Sequence, residues 1–277
     1  MNKSKVRQKT IITSHNNSFW EKSKEILRYR ELLWMLAWRD FRIKYAQSFL
    51  GFAWAFINPI VTLIILSFIF GTVAKVDTGD IPHILYTLAG LCGWTFFASL
   101  AGDAGRSILS AQDMVKKIYF PRLILPLSKV FTSLIDFGIV LICLAILMLI
   151  YWYPVTMNLI WLPFFIFLAI LAGVASGIWI SALTIRFRDF QHVMPLILRV
   201  GMYATPVAFP ASAVPEKYQL LFFLNPLAGV VEGMRWSLLG IGEFPPYILL
   251  STGVLLLLFI SGWIYFNRVE LVIADII

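Results

Sequence analysis

Residues 50–73 (LGFAWAFINPIVTLIILSFIFGTV) carry no charged side chain, and neither do residues 84–102 (ILYTLAGLCGWTFFASLAG). Residues 137–185 are free of charge, as are residues 244–267. A bilayer span needs roughly 20 apolar residues. The stretch 137–185 is too long for one span, and Tyr153-Pro154 and Pro163 divide it into two. Residues 190–210 are apolar apart from His192 and Arg199. The pattern predicts six transmembrane helices, at about 50–73, 84–102, 124–152, 160–184, 190–210 and 245–266.

The segments between these spans differ in character. Residues 1–25 are polar, with no apolar core of the kind a cleavable signal needs. Within 26–48, Leu27, Trp34, Trp38, Phe41 and Tyr45 fall on one helical face, and Arg28, Glu31, Arg39 and Arg42 cluster beside it. Asp40 and Lys44 have the spacing of an i,i+4 ion pair. An aromatic stripe beside a basic one predicts an amphipathic helix in the membrane interface, turning at Ser48–Gly51 into the first span. Residues 103–122 (DAGRSILSAQDMVKKIYFPR) form a charged loop of helical composition, ended by Phe120-Pro121. Residues 211–243 contain QLLFFL and PLAGVVEGMRWSLLG. These pieces are too apolar for water and too short to span, which predicts re-entrant or interfacial helices broken at Asn225-Pro226. Ala169, Gly173, Gly177 and Ser181 recur every four residues on the fourth span, a small-residue face suited to close helix packing.

Composition agrees with the pattern. Of the 277 residues 60% are hydrophobic and 14% charged, against about 25% charged in soluble domains. The chain is read as an all-α integral membrane protein. Its charge is also asymmetric. If the N-terminus is cytoplasmic, the inside segments hold 18 of the 23 Lys and Arg and the outside segments hold 3. The positive-inside rule then places both termini, 268–277 included, in the cytoplasm. The net charge of +8 is accounted for by anionic lipid headgroups, without nucleic acid. Cys92 and Cys143 sit in apolar runs with no CxxC or Cys/His cluster, so neither a disulfide framework nor a metal site is expected.

Charges inside spans are costly and usually face a bundle interior or water. Lys129 and Asp136 stand two turns apart on one face, and Arg199 follows Pro195. They are candidate linings of a polar channel, with a structural pair near the membrane interface as the alternative for Lys129 and Asp136. Glu232 and Arg235, three residues apart, can neutralise one another.

Four stretches, in order, resemble the permease subunit of bacterial ABC-2 type polysaccharide exporters, the group that exports O-antigen, teichoic acid and capsule. They are WRDFRIKYAQSFLGFAWAFINP from Trp38, KKIYFPRLILPL at 116–127, FRDFQHVMPLILRVGMYATPVAFP at 187–210 and LNPLAGVVEGMRWSLLG at 224–240. The resemblance implies a homodimer in the bacterial inner membrane, joined by two ABC ATPase subunits. It also implies outward movement of a polyprenyl-diphosphate-linked polysaccharide, O-antigen foremost.

Several roles follow from that resemblance. The sequence has no GxxxxGK[ST] loop, so ATP and Mg belong to the partner subunit and this chain needs no cofactor of its own. Arg106, Asp113, Lys116 and Lys117, with Arg186 and Asp189 of the shorter loop, become candidate coupling residues. Arg39, Arg42 and Lys44 are placed to meet a lipid diphosphate, because phosphate favours guanidinium forks. Phe222, Phe223, Glu232 and Arg235 belong to an extracytoplasmic gate. Alternatives are another cargo on the same architecture (teichoic acid, capsule, lipid or drug) and a membrane-embedded transferase acting on lipid-linked sugars. The scattered acids and three separated His residues lack the clustering a transferase needs.

Overall fold

The computed structural model describes residues 19–46, 52–241, 244 and 247–270. The expected turn at Ser48–Gly51, most of the polar segment 1–25 and most of 268–277 lie outside them. Helices α1 (Phe19–Arg28) and α2 (Arg30–Ala46) meet at Tyr29, so the interface helix expected over 26–48 is broken there. Helix α3 (Ala53–Leu66) contains Pro59 and widens into a π-helical stretch, Ser67–Val73. Helix α4 (His83–Ser110) is followed by the short α5 (Gln112–Lys117). Then come α6 (Ile124–Ile150), α7 (Leu162–Arg186, entered through a 3-10 turn) and α8 (Phe190–Tyr203). The chain closes with α9 (Glu216–Phe222), α10 (Pro226–Leu239) and α11 (Ile248–Glu270).

Among the described residues, five helical stretches are long and apolar enough to cross a bilayer: Ala53–Val73, His83–Ser110, Ile124–Ile150, Met157–Arg186 and Ile248–Glu270. The second outruns its expected limit, since α4 absorbs the first third of the loop 103–122. The expected span at 190–210 differs more. Helix α8 has 14 residues, roughly 21 Å at 1.5 Å per residue, short of a hydrocarbon core of about 30 Å. The helix ends at Tyr203 because Pro206 disfavours helical geometry at Thr205 and has no N–H to donate. Residues 204–215 continue without a regular helix apart from one 3-10 turn.

Helix α4 is the axis of the bundle. In its most apolar window 78% of residues are buried, against 17% for α3. It packs on α7, α6, α10, α8 and α3. The small-residue face of α7 meets it: Ala169, Gly173, Gly177 and Ser181 are all buried. A Cβ on Gly177 would stand 2.4 Å from Ala104 Cβ, so glycine is needed for this approach.

Helices α9 and α10 are separated at Asn225-Pro226, as expected. Asn225 caps α10, its side chain accepting from Leu227 N at 3.0 Å. Glycine at 240, with φ of 68°, ends that helix. Most of α10 is buried against α4, α7 and α11, so it is an internal element of the bundle.

The irregular segment 204–211 is held by side chains of α10 and its cap. Asn225 Nδ2 donates to Ala204 O at 3.1 Å and Thr205 Oγ1 at 3.0 Å. Arg235, 1% exposed, donates to Pro206 O and to Val207 O (2.8 Å). It also donates to Tyr86 Oη at 2.9 Å and Glu232 at 2.8 Å. Glu232 accepts from Ala211 N at 2.6 Å. Non-helical backbone at membrane depth is tolerated only when its polar groups are satisfied within the protein, and Asn225, Arg235 and Glu232 together supply partners for Ala204 O, Pro206 O, Val207 O and Ala211 N.

Replacing Arg235 with Met leaves two buried carbonyls without a donor and Glu232 without its counter-charge. Each orphaned buried group costs about 1–3 kcal/mol. Arg235→Met is expected to lower the melting temperature of the purified protein in detergent and to open residues 204–215 to protease. Arg235→Lys should recover only part of the loss, because an ammonium lacks the planar fork. Wild-type melting of Arg235→Met would show that the clamp is dispensable.

Candidate functional site

One end of the bundle gathers α1, α2, α5 and the α7–α8 junction, and it is strongly basic. There α2 packs on α6. The i,i+4 pair expected between Asp40 and Lys44 does not form. Asp40 instead binds Lys129 at 2.5 Å and Arg39 at 2.9 Å, and Lys44 binds Asp136 at 2.6 Å. Lys129 and Asp136 are therefore partners of α2 and not of each other. The physical reason is their place on α6: a charge within a span must find a counter-charge, and α2 supplies both. Asp136 also accepts from Ser99 Oγ at 2.9 Å and from Tyr45 Oη. Burial, reinforced by that carboxylate, pushes the Tyr45 phenol up from its usual value, so it remains a donor.

The three cations expected to meet a lipid diphosphate are all exposed, with Lys44 engaged by Asp136 and Arg39 by Asp40. Arg39 and Arg42 share an open groove of about 280 Å³ with Met35, Trp38 and Ile43. Behind them a cavity of about 310 Å³ lies between α2, α3, α4 and α6. Its polar lining includes Lys44, Asn58, Thr62, Thr95, Ser99 and Asp136. Two cations and an apolar wall in one groove suit an anionic headgroup with a hydrocarbon tail.

At the same end the two expected coupling stretches lie side by side. Gln112 of α5 and Arg186 and Arg188 beyond α7 line one cleft of about 140 Å³. Arg106, Asp113, Lys116, Lys117, Arg186 and Asp189 are all exposed. The YFPR motif has a structural role beside them. Phe120 is buried, Arg122 N donates to Glu270 Oε1 at 3.1 Å, and the Arg122 guanidinium donates to Glu270 O. Lys22 of α1 reaches Glu270 at 2.8 Å and Asn267 at 2.7 Å. Burial holds Arg122 below its ordinary value, and Glu270 opposes that shift. Glu270 thus ties α1, the loop after α5 and the end of α11 together. Sequence reasoning passed over it, because its partners lie 148 and 248 residues away.

The opposite end carries α9 and α10. The expected gate residues divide here. Phe223 is buried against Tyr247, ring centroids 5.3 Å apart, and Phe222 stands between Phe209 and Phe223. Glu232 and Arg235 form their expected pair at 2.8 Å, within the larger clamp described above. The exposed apolar surface of α9 comes from Leu220 and Leu221, followed by Leu224. Arg199 is exposed on α8, among Leu196, Val200 and Tyr203.

Comparison with known proteins agrees with this architecture. The chain is 28% identical to the O-antigen export system permease protein RfbA of Myxococcus xanthus, over 76% of this chain and 82% of the relative. It is 27% identical to the RfbA protein of Klebsiella pneumoniae, over 89% and 95%. It is 26% identical to the polysialic acid transport protein KpsM of Escherichia coli, over 86% and 93%. The profile of the ABC-2 type transporter family matches residues 31–239, from α2 to the end of α10. The chain belongs to the ABC-2 type transporter family as a multi-pass membrane subunit.

Proposed function

We propose that this chain is the channel-forming permease of an ATP-driven exporter that moves a polyprenyl-diphosphate-linked polysaccharide, O-antigen foremost, out of the cytoplasm. The observation that carries this reading is similarity to O-antigen export permeases over 76% and 89% of this chain, in a chain without a phosphate-binding loop. The basic end faces the cytoplasm, with both termini there. Two copies form the channel, and two ABC ATPase subunits supply ATP and Mg. The weak burial of α3 and the exposed Leu196, Ile197, Val200 and Tyr203 of α8 support an interface between copies, since each helix packs on the bundle with one side and leaves its other apolar side uncovered. Arg39 and Arg42 receive the lipid diphosphate, and α5 with the 186–189 turn engages the ATPase. Re-entrant α9 and α10 close the outer end.

Deleting the gene tests the reading directly. Lipid-linked polymer should accumulate inside the cell while surface polysaccharide disappears. An unchanged surface would refute it. Similarity to a polysialic acid transport protein favours capsule as the second cargo, and chemical analysis of the accumulated polymer decides between the two.

Three variants refine the assignment. Arg39→Gln with Arg42→Gln should cut export at least tenfold at normal protein level, measured by immunoblot of surface polysaccharide. Export at the wild-type rate would reduce both to topogenic charges. Deleting residues 112–117 should leave ATP hydrolysis running in the assembled complex while export stops. Intact export would move the coupling contact elsewhere. Leu221→Cys should crosslink between copies at rest and block export until reduced. Export through crosslinked complexes would make α9 a passive cap.

A further inference from the structure

A cavity of about 560 Å³ opens at the α10 end between the 77–79 turn, the start of α4, residues 210–212, α9, α10 and Tyr247. Its lining includes Phe223, Glu232 and Arg235 of the expected gate, but the roles above give the cavity itself no ligand. Its volume falls within the range of roughly 300–1,000 Å³ usual for small-ligand sites. One wall is aromatic. Phe223 and Tyr247 meet at 37°, and the half-buried Trp236 stands perpendicular to Phe244, centroids 5.2 Å apart. The other wall is polar: Asp77, Gln219, Glu232, Arg235 and the Tyr86 phenol.

The charge pattern selects the ligand class. Two carboxylates face one guanidinium, and that guanidinium is already committed to Glu232, Tyr86 and two main-chain carbonyls. A phosphate or carboxylate would meet net negative charge. A neutral molecule with hydroxyls on its edge and C–H groups on its face matches both walls at once. Rings accept the apolar face, and carboxylate and amide groups bind the hydroxyls. Gln219 has only a long 3.3 Å bond, to Val214 O, holding its amide.

We propose that this cavity is a saccharide-binding site that holds uncharged sugar rings at the exit end of the permease. The proposal rests on the reading that the chain exports polysaccharide, and it deepens that reading by giving the polymer a contact within each copy. Gln219 belongs to α9 and Phe223 follows it directly, so an occupied cavity touches the element assigned to the gate.

The test uses the full-length protein in lipid nanodiscs. The probe is the oligosaccharide released by mild acid from the host's surface polysaccharide, with inorganic phosphate as the anion control. Saturation-transfer NMR should show the sugar ring protons receiving magnetisation from the wild-type protein. Tyr247→Leu and Gln219→Ala should each reduce that transfer at least fivefold with the melting temperature unchanged. No transfer with the wild type, equal transfer with both variants, or displacement of the sugar by phosphate would each overturn the assignment. Where a variant does not fold, Ser212→Cys in a background with Cys92 and Cys143 replaced by alanine gives the same answer. The oligosaccharide should slow its alkylation by N-ethylmaleimide at least fivefold, and an unchanged rate counts against the site. Gene deletion separates the two levels. Lost surface polysaccharide without sugar binding removes only the cavity assignment. Retained surface polysaccharide removes the transport reading, whatever the cavity binds.

Discussion

A main-chain carbonyl in an apolar surround must have a donor, and that requirement organises the far end of the molecule. The chain leaves helical geometry at Ala204, and the irregular residues Thr205, Pro206, Val207 and Ala208 that follow are buried in the bundle. A guanidinium presents five N–H donors in one rigid plane, and Arg235 spreads four of them over two carbonyls, a phenol and a carboxylate. Helix α10 is consequently drawn inward, where most of its residues are buried. Gly90 must lack a side chain, because a Cβ there would lie 2.3 Å from Val207 O and 2.4 Å from Arg235. Helix α9, joined to α10 by Asn225, is left at the surface with its leucines outward.

The unequal burial of the spans divides the bundle into a fixed part and a looser one. Helix α4 is enclosed by α6, α7 and α10, and α11 packs along α7. Helix α3 has few neighbours and carries a proline and a π-helical stretch, both of which weaken the regular hydrogen-bond ladder. Segments with few buried contacts open at the lowest free energy. The elements free to shift are thus α3 and α8, which border the polar cavity and the exposed Arg199. The clasp of Lys22, Arg122 and Glu270 ties the basic end together.

Much of this was legible in the sequence. Uncharged runs of bilayer length have few other meanings, and four of the six expected spans correspond to long helices nearly end to end. The second was underestimated, because Asp103 and Arg106 ended the uncharged run while α4 continued to Ser110. The fifth is helical over only part of its expected length, for a different reason. Residues 190–210 are apolar apart from His192 and Arg199, and hydropathy does not separate a helix from irregular chain sealed inside protein; Pro206 and Pro210 were the available signal. Local pairs were half right. Glu232 and Arg235 do meet, but the partners that make Arg235 indispensable lie 28, 29 and 149 residues away. Asp40 and Lys44 had the right spacing on one helix, yet the charges within α6 outcompeted that spacing. The clue was arithmetic: Lys129 and Asp136 each lacked a counter-charge, and Asp40 and Lys44 carry the complementary pair.

That exchange of partners between α2 and α6 has an evolutionary reading. Asp40 with Lys129 and Lys44 with Asp136 form two bonds of opposite polarity between the same two helices. Reversing one charge leaves two like charges in contact. Reversing both members of one bond restores that bond but sets its new charges beside the unchanged neighbours on each helix. Reversing all four restores the original pattern in mirror image. The four positions are thus expected to drift as a single character across relatives, and a chain that has lost one of them should have replaced its partner too.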